Sequence, residues 1–510
     1  MIKTALISVS DKTGLIEFSK KLSKIGVKII SSGGTYKSLS EAGIKAVKVE
    51  DITGFPEILD GRLKTLHPKI HGGILAKRTE KHLAELKKQG IETIDLVVVN
   101  LYPFKETVSK KDVSMEEAIE NIDIGGPTMI RAAAKNFESV GVVVDHSQFE
   151  KVLLNLEKNK GNLSLEMKKE LMVEALEHTA FYDATISRYL NLKMKGKDFP
   201  EKLSLGFEKA SELRYGENPH QKAALYLKPV REKNGIVDAE QLNGKELSFN
   251  NYNDANSAIE LVKEFSEPCA VIVKHVNPCG VALGKTILEA FTKALECDPE
   301  SAFGGIIALN KKCDLETAKK ITSFFNEVVI APGFDAKALE ELKRKQNLRV
   351  LRLENMSKST EKFDFKHING GLLVQDADSA GAISMENKSE IKADANSKAD
   401  LEFAWKIVKH VKSNGIVLVK NTSTIGIGVG QTSRVKAVKQ ALEQAGEKAK
   451  GCSLASDAFF PFKDSIELCA KAGIKSIIEP GGSVKDEEVI SEAKKQGIAL
   501  FFTGMRHFKH

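Results

Sequence analysis

A lysine and a histidine at the end of an apolar run are the residues around which this sequence is best read. In Val271-Ile272-Val273-Lys274-His275-Val276-Asn277-Pro278-Cys279-Gly280, aliphatic residues lead into the pair and Asn-Pro-Cys-Gly forces a turn. The pattern predicts a buried strand that delivers two ionisable side chains to its end, where open α/β sheets place ligand crevices. Successive strand residues face opposite ways, so Lys274 and His275 serve one pocket only if the strand stops there. A histidine titrates near neutrality, and a neighbouring ammonium group can depress its pKa. That suits a general base with an electrostatic partner. A strand-end pair that only hydrogen-bonds a loop fits these residues as well.

Nearer the N-terminus, the chemistry that the residue types suggest is anion binding. Ser8-Val9-Ser10-Asp11-Lys12-Thr13-Gly14 and Ser31-Ser32-Gly33-Gly34-Thr35 each end an apolar run and precede a helical pattern. Strand, Gly/Ser/Thr turn, helix is how backbone amides and a helix N-terminus come to face an anion. One such turn can be a simple Ser or Thr cap. Two in succession, one carrying Lys12, predict a phosphate pocket. Arg62-Leu63-Lys64-Thr65-Leu66-His67-Pro68-Lys69-Ile70-His71-Gly72-Gly73 adds a basic segment whose apolar residues imply a packed-down loop. Pro68 separates the two histidines, which argues against a helical metal pair. Asn100 and Tyr102 follow the apolar run Asp95–Leu101 and need polar partners there. Asn121 to Pro127, with Asp123 and Gly125, leads into a helix bearing Arg131-Ala132-Ala133-Ala134-Lys135-Asn136. The alanines allow close packing, so Lys135 is expected to be partly buried.

The C-terminal part repeats a theme. Arg214 and Tyr215 lie in a Gly/Pro-rich loop suited to gripping a phosphate or a base. Asn250 to Asn256 is asparagine-rich ahead of a helix. Between Gly280 and Phe303, and again between Gly428 and Phe459, a glycine-bounded strand meets a Thr-started helix ending in Ala-Leu-Glu (Ala294-Leu295-Glu296, Ala441-Leu442-Glu443). Each then reaches a Ser-containing Ala-Phe strand start. This predicts a duplicated α/β unit. The polar span Asn355 to Asp400 reads as a surface insertion, loop-like or mobile.

The elements that must position these groups follow from the pattern. Strands expected at Thr4–Ser10, Val27–Ile30, Asp95–Leu101 and Val140–Val144 alternate with helices, which predicts a parallel, doubly wound sheet. Helical segments from about Gln148 to Leu192 wrap or link it. With 510 residues the chain is too long for one core. Hydrophobic content of 42% and charged content of 28% are ordinary for a soluble globular protein. No apolar run is long enough to span a membrane, and the N-terminus reads as a strand rather than a targeting peptide, so a cytoplasmic protein is expected. The net charge of +7 is modest and spread over amphipathic helices, so no nucleic-acid partner is indicated. Cys269, Cys279, Cys297, Cys313, Cys452 and Cys469 show no CxxC spacing and are expected to be reduced, mostly buried thiols.

The motifs Ser8–Gly14, Ser32–Thr35, Gly61–Pro68, Asn100-Leu101-Tyr102-Pro103-Phe104 and Arg131–Asn136 resemble, in this order, an inosine-monophosphate (IMP) cyclohydrolase domain. Leu213–Gln221, the Lys-His strand, Ser301-Ala302-Phe303-Gly304-Gly305 and Ser456-Asp457-Ala458-Phe459-Phe460-Pro461-Phe462 resemble the aminoimidazole-carboxamide ribonucleotide (AICAR) formyltransferase joined to it in a bifunctional purine-biosynthesis family. The resemblance covers essentially the whole chain. It implies a methylglyoxal-synthase-like cyclohydrolase domain at 1–147, a helical linker at 148–203, and a formyltransferase domain of two cytidine-deaminase-like lobes at 204–510.

For the first domain the resemblance implies ring closure of formyl-AICAR to IMP with loss of water and no cofactor. Ser10, Asp11, Lys12, Ser32, Gly33, Gly34 and Thr35 would take the phosphate, while Arg62, Lys64, Thr65, Asn100 and Gly125 hold the nucleotide. Lys135 would shuttle protons, with Lys64, Tyr102 and Asp123 around the reacting groups. In the second domain the AICAR amine would attack the formyl carbon of 10-formyltetrahydrofolate, with His275 as general base and Lys274 as its partner. Arg214, Tyr215, Asn251, Gly304, Glu327, Phe459, Arg506 and Phe508 would contact the nucleotide. Asn414, Arg434, Asp464 and Ser483, in the Pro480-Gly481-Gly482-Ser483 turn, would line the folate side. The His-x-Glu and Pro-Cys-x-x-Cys ligands of a zinc deaminase are not in the sequence, so no catalytic metal is expected; a structural monovalent cation fits the family. The resemblance also implies a homodimer with transferase sites at the subunit interface.

Overall fold

The computed structural model describes residues 1–194, 196, 198–379 and 384–510. They form two compact units, Met1–Lys209 with Tyr226–Arg231, and Ala210–Leu225 with Glu232–His510.

The first unit is built on five parallel strands: β1 (Thr4–Ser8), β2 (Lys28–Ser31), β3 (Ala46–Lys48), β4 (Leu96–Val99) and β5 (Gly141–Val143). Their order is β3-β2-β1-β4-β5, and every pairing is parallel. Leu-Val-Val-Val in β4 is buried throughout, as a strand covered on both faces must be. The sequence pattern did not disclose β3, a three-residue edge strand that is only partly covered. The order reverses between β1 and β4, and that switch point is where an open parallel sheet leaves a crevice at its carboxyl ends. The helices after Gln148 wrap the sheet: Leu165–Lys193 buries Met167, Leu171, Ala175, Thr179, Tyr182, Thr185 and Tyr189, and its apolar members join the same core as β1 and β4.

A two-stranded ribbon, β6 (Glu208–Leu213) with β7 (Ala223–Leu227), marks where the division between the units falls. The second unit contains β8 (Glu240–Asn243), β9 (Cys269–Lys274), β10 (Asn277–Leu283), β11 (Ile306–Leu309), β12 (Val328–Ala331) and β13 (Arg349–Arg352). These are followed by a separate hairpin of β14 (Phe363–Ile368) and β15 (Gly371–Asp376). The chain continues through β16 (Glu386–Asn387), β17 (Ile416–Lys420), β18 (Ser423–Gly428), β19 (Ser453–Ser456), β20 (Ser476–Glu479) and β21 (Ala499–Phe502). Twelve of these strands form one mixed sheet in the order β16-β21-β20-β19-β17-β18-β10-β9-β11-β12-β13-β8. Read outward from the β10·β18 pair, both halves run hairpin, antiparallel neighbour, two parallel strands, antiparallel edge. The duplication expected from the sequence is therefore present.

Its register differs from the one read in the sequence. A Cβ on Gly280 would fall 1.9 Å from the carbonyl of Ala294, and one on Gly426 would fall 2.2 Å from that of Ala441. The glycine answering Gly280 is thus Gly426, each letting the helix that carries Ala-Leu-Glu near its C-terminus lie directly on its strand; Gly428 is two residues too late. Phe303 caps the short helix Pro299–Ala302 two glycines ahead of β11, and Phe459 follows β19, so neither Ala-Phe opens a strand. The span 355–400 is also more ordered than a loop. It carries the β14/β15 hairpin, β16 and the start of the helix Ala395–Val408, although its residues 380–383 lie outside the described residues.

Candidate active sites

In the first unit, the carboxyl ends of β1 and β4 are tied by Asn100. Its Oδ1 accepts the N–H groups of Ser10 (2.5 Å) and Asp11 (3.1 Å), and its Nδ2 donates to the Asp11 carbonyl (2.8 Å). Around this bridge opens a cleft of about 510 Å³ lined by Ser10, Lys12, Ser32, Gly34, Thr35, Arg62, Lys64, Thr65, Asn100, Tyr102, Asp123 and Gly125, among others. Ser32 is the N-cap residue of the helix Gly33–Glu41, and its hydroxyl is buried without a hydrogen-bond partner. Lys12 and Lys64 flank that helix N-terminus: Cβ atoms built on Gly34 and Gly33 would lie 3.8 Å and 3.7 Å from their respective Nζ atoms. A positive helix end, two ammonium groups and an unpaired hydroxyl make a preformed anion site.

Three expected contacts are already engaged within the protein. Thr35 donates its hydroxyl to the Val9 carbonyl (2.9 Å) and accepts the Val9 N–H (3.0 Å), so it fastens β1 to the following helix. Asp11 accepts from the Thr13 N–H (2.9 Å) and hydroxyl (2.7 Å), which hold its carboxyl below the usual aspartate range. Its carboxylate thereby shapes the turn that follows β1. Arg62 is paired with Glu120 at the cleft wall. Pro68 starts a helix, Pro68–Leu75, rather than interrupting a loop, with His67 accepting the Lys69 N–H as its cap (3.1 Å).

Asp123 stands across the cleft. Its carboxylate accepts the N–H groups of Gly126 (2.8 Å) and Tyr102 (3.3 Å). Burial pushes its carboxyl above the ordinary aspartate value, against the opposing pull of those two amides and of Lys64. Its own N–H donates to the hydroxyl of Tyr182 (2.8 Å), which in turn donates to the Asn121 carbonyl (3.2 Å). Lys135 departs from expectation. It ends the helix Gly125–Lys135, is exposed, and is absent from the cleft lining. Lys135 is the last of the helix's eleven residues, and the rise of 1.5 Å per step places it about 15 Å along the helix from Gly125. The alanines before it are buried; the lysine itself turns out of the packed face.

In the second unit, Lys274 is the last residue of β9 and His275 the first of the turn into β10, so the strand does end at the pair. The turn is the tip of an antiparallel hairpin, and His275 is exposed. Lys274 Nζ donates to the Phe303 carbonyl (2.8 Å), next to Gly304, whose φ of +74° requires glycine. The His275 carbonyl accepts from Asn277 Nδ2 (3.0 Å), and Asn277 Oδ1 accepts the Lys412 N–H (3.0 Å). From there hydrogen bonds run through Ser413 to Lys509 (2.9 Å) and from His507 to Asp457 (3.0 Å), joining the C-terminal tail to the hairpin's neighbourhood. Arg506 lies over the Phe508 ring at 4.3 Å. Phe460 N–H donates to Glu479 (2.6 Å), which couples the Phe459 segment to the strand that precedes Pro480–Ser483. Arg214 stacks on Tyr215 at 5.0 Å, and Asn250 Nδ2 reaches the Glu217 carbonyl of the same loop (3.3 Å).

Several second-unit residues expected at ligands also make hydrogen bonds or ion pairs within the fold. Asn251 is the third residue of the helix Phe249–Val262 and forms a reciprocal capping box with Ser248. Arg434 is buried and paired with Asp457, and it also donates to the Gly415 carbonyl (3.3 Å). Glu327 is held by Arg349 at 2.5 Å. Asn414 donates to the Gln431 carbonyl (2.6 Å). Asp464, the first residue of the helix Asp464–Lys471, accepts the Ser465 N–H (2.7 Å), and the Ser483 hydroxyl accepts the Lys485 N–H (3.1 Å). Sequence reading found the donors but not their users. It also missed Glu120 and Tyr182. The signal for Tyr182 was its place on the buried stripe of Leu165–Lys193, read there as a wrapping or linking helix.

A cationic cleft at the switch point of a parallel α/β sheet, followed by a duplicated mixed sheet, defines an α/β protein with a site for a small anionic metabolite. The model of the MGS-like domain matches residues 14–128, and that of the AICARFT/IMPCHase bienzyme matches residues 133–444. The chain belongs to the AICARFT/IMPCHase bienzyme family. It is 55% identical to the bifunctional purine biosynthesis protein PurH of Thermoanaerobacter sp. (strain X514) over 513 aligned residues, covering both chains completely. It is 54% identical to the PurH protein of Bacillus subtilis (strain 168) and 55% identical to that of Acetivibrio thermocellus, again over 100% of each.

Proposed function

We propose that this chain carries out two consecutive steps of purine biosynthesis at two separate sites. It is a bifunctional enzyme, an AICAR formyltransferase and an IMP cyclohydrolase. In this reading residues 1–147 are the cyclohydrolase, 148–203 the helices attached to it and 204–510 the transferase. The observation that carries the cyclohydrolase reading is the unpartnered Ser32 hydroxyl between Lys12 and Lys64, a cradle for a nucleotide phosphate.

In ring closure the carboxamide nitrogen bonds to the formyl carbon while the formyl oxygen takes up a proton. The hydroxyl then leaves as water with the proton from the other nitrogen. Asp123 accepts the carboxamide proton, Lys64 and Tyr102 stabilise the oxygen as it becomes negative, and exposed Lys135 exchanges protons with solvent. In formyl transfer the AICAR amine attacks the formyl carbon of 10-formyltetrahydrofolate. His275 removes the amine proton, Lys274 stabilises the tetrahedral oxyanion, and the folate N10 departs protonated. Arg214, Tyr215, Phe459, Arg506 and Phe508 hold the nucleotide, and the Asn414 and Ser483 segments face the folate. A homodimer in the cytoplasm, with a second copy covering the exposed His275 tip, completes the proposal.

The test is separation of activities. His275→Ala is expected to abolish formyl transfer from 10-formyltetrahydrofolate and spare cyclisation of formyl-AICAR; Lys135→Ala is expected to do the reverse. A folded Lys135→Ala variant that cyclises at the wild-type rate would confine that chemistry to Lys64, Tyr102 and Asp123.

A further inference from the structure

We propose that Asp254 is a positioning residue for formyl transfer, its carboxylate clamping the His275–Val276 turn in the backbone conformation that presents the imidazole. The inference rests on the assignment of His275 as general base. His275 has φ +52° and Val276 φ +69°, so both central residues of the β9/β10 turn are left-handed. Two-residue hairpins of this kind ordinarily carry Asn-Gly, because a Cβ, and a branched one above all, is disfavoured there. Neither residue is suited to the turn. What holds it is the helix Phe249–Val262, from which Asp254 accepts the His275 N–H at 3.1 Å and the Val276 N–H at 2.7 Å, one on each carboxylate oxygen.

The second half of the sheet contains the same device without the chemistry. Between β17 and β18, Asn421 (φ +54°) and Thr422 (φ +53°) form the equivalent turn. Asp400, on the helix Ala395–Val408, accepts their N–H groups at 3.0 and 2.6 Å. The residue before each turn is a lysine capping a carbonyl at 2.8 Å, Lys274 on Phe303 and Lys420 on Lys450. The clamp is therefore a feature of the duplicated fold, and only the first copy aims an ionisable side chain with it. A general base works when its nitrogen is held within hydrogen-bond reach of the proton it removes, and a displacement of about 1 Å can cost on the order of 100-fold. An asparagine in place of Asp254 would put an amide N–H against one backbone N–H and release half of the turn.

The comparison uses Asp254→Asn, Asp400→Asn, His275→Ala and the double variant Asp254→Asn/Val276→Gly in the full chain. Asp254→Asn is expected to lower kcat for formyl transfer about 30-fold or more, with KM for AICAR within about threefold and cyclisation unchanged. Asp400→Asn is expected to keep formyl transfer within about threefold of wild type. Adding Val276→Gly is expected to restore much of the lost kcat, since glycine adopts positive φ without a clamp. A wild-type kcat in Asp254→Asn, an equal loss in Asp400→Asn, or no recovery with glycine would each overturn the inference. An active His275→Ala variant would instead overturn the assignment of the base on which it rests.

Discussion

Ser32 and Asp123 illustrate how a single side chain can hold free energy in reserve for a ligand. The Ser32 hydroxyl is buried and unpaired, a state that costs roughly 1–3 kcal/mol until an acceptor arrives. Asp123 is held above the ordinary aspartate value of 3.8 by burial, which makes it a stronger base than a solvated carboxylate. If its ionised form takes the carboxamide proton, cyclisation falls as pH drops through that raised value, earlier than an exposed aspartate would allow. Asp123→Asn is expected to remove this acid limb and to lower kcat roughly 100-fold, while formyl transfer keeps its own pH profile. A pH–rate profile of both activities in the same preparation checks this. The two glycine turns were legible because an anion site of this kind is written in neighbouring residues. The partners that tune the site were not. Tyr182 lies 59 positions from Asp123, and Arg62 lies 58 from Glu120. Residue type likewise could not disclose that Thr35, Asn251 and Arg434 spend their polar groups on the fold.

At the scale of elements, strands declared themselves where both faces are buried, as in β1, β4 and β9, and escaped notice where they are short and at an edge, as in β3 and β16. The duplicated half-sheet was visible through its Ala-Leu-Glu helix ends. Its register was not, because Gly426 and Gly428 both sit close under helix carbonyls: a Cβ would lie 2.2 Å from Ala441 in one case and 2.1 Å from Ala437 in the other. Close helix-on-strand packing at Gly280 has a direct test. The methyl of Gly280→Ala would fall 1.9 Å from the Ala294 carbonyl, a backbone atom that moves only with its helix. The substitution is expected to destabilise the second unit by about 2–4 kcal/mol and to reduce formyl transfer. Chemical denaturation alongside both activity assays measures it, and cyclisation should persist.

Across the whole molecule, titratable groups buried deep in the second unit set its response to pH. All six cysteines are free and buried, and burial raises every thiol, Cys279, Cys297, Cys313 and Cys452 to about 12. Glu479 is wholly buried, and its carboxyl is pushed from 4.5 to about 8 by burial, with Asp486 adding to the shift and the Phe460 N–H and Arg434 opposing it. The folded state thus binds a proton that the unfolded chain has released between those two values. Stability from this group is full below about pH 4.5, declines as pH rises, and is lost above about 8, at about 1.4 kcal/mol per unit of separation. Glu479→Gln, which keeps the acceptor for Phe460, is expected to flatten this decline and to stabilise the second unit at pH 8.5 relative to wild type. Equal pH dependence of unfolding in the two proteins would contradict it.

The paired turns leave one more consequence. Lys420-Asn421 occupies in one lobe the station that Lys274-His275 occupies in the other, with an equivalent aspartate beneath (Asp400 for Asp254) and an equivalent carbonyl beside it (Lys450 for Phe303). The chain thus carries its own blank: the repeated lobe offers two mounts of one pattern, and a lone codon change at Asn421 would fit the empty mount with an imidazole.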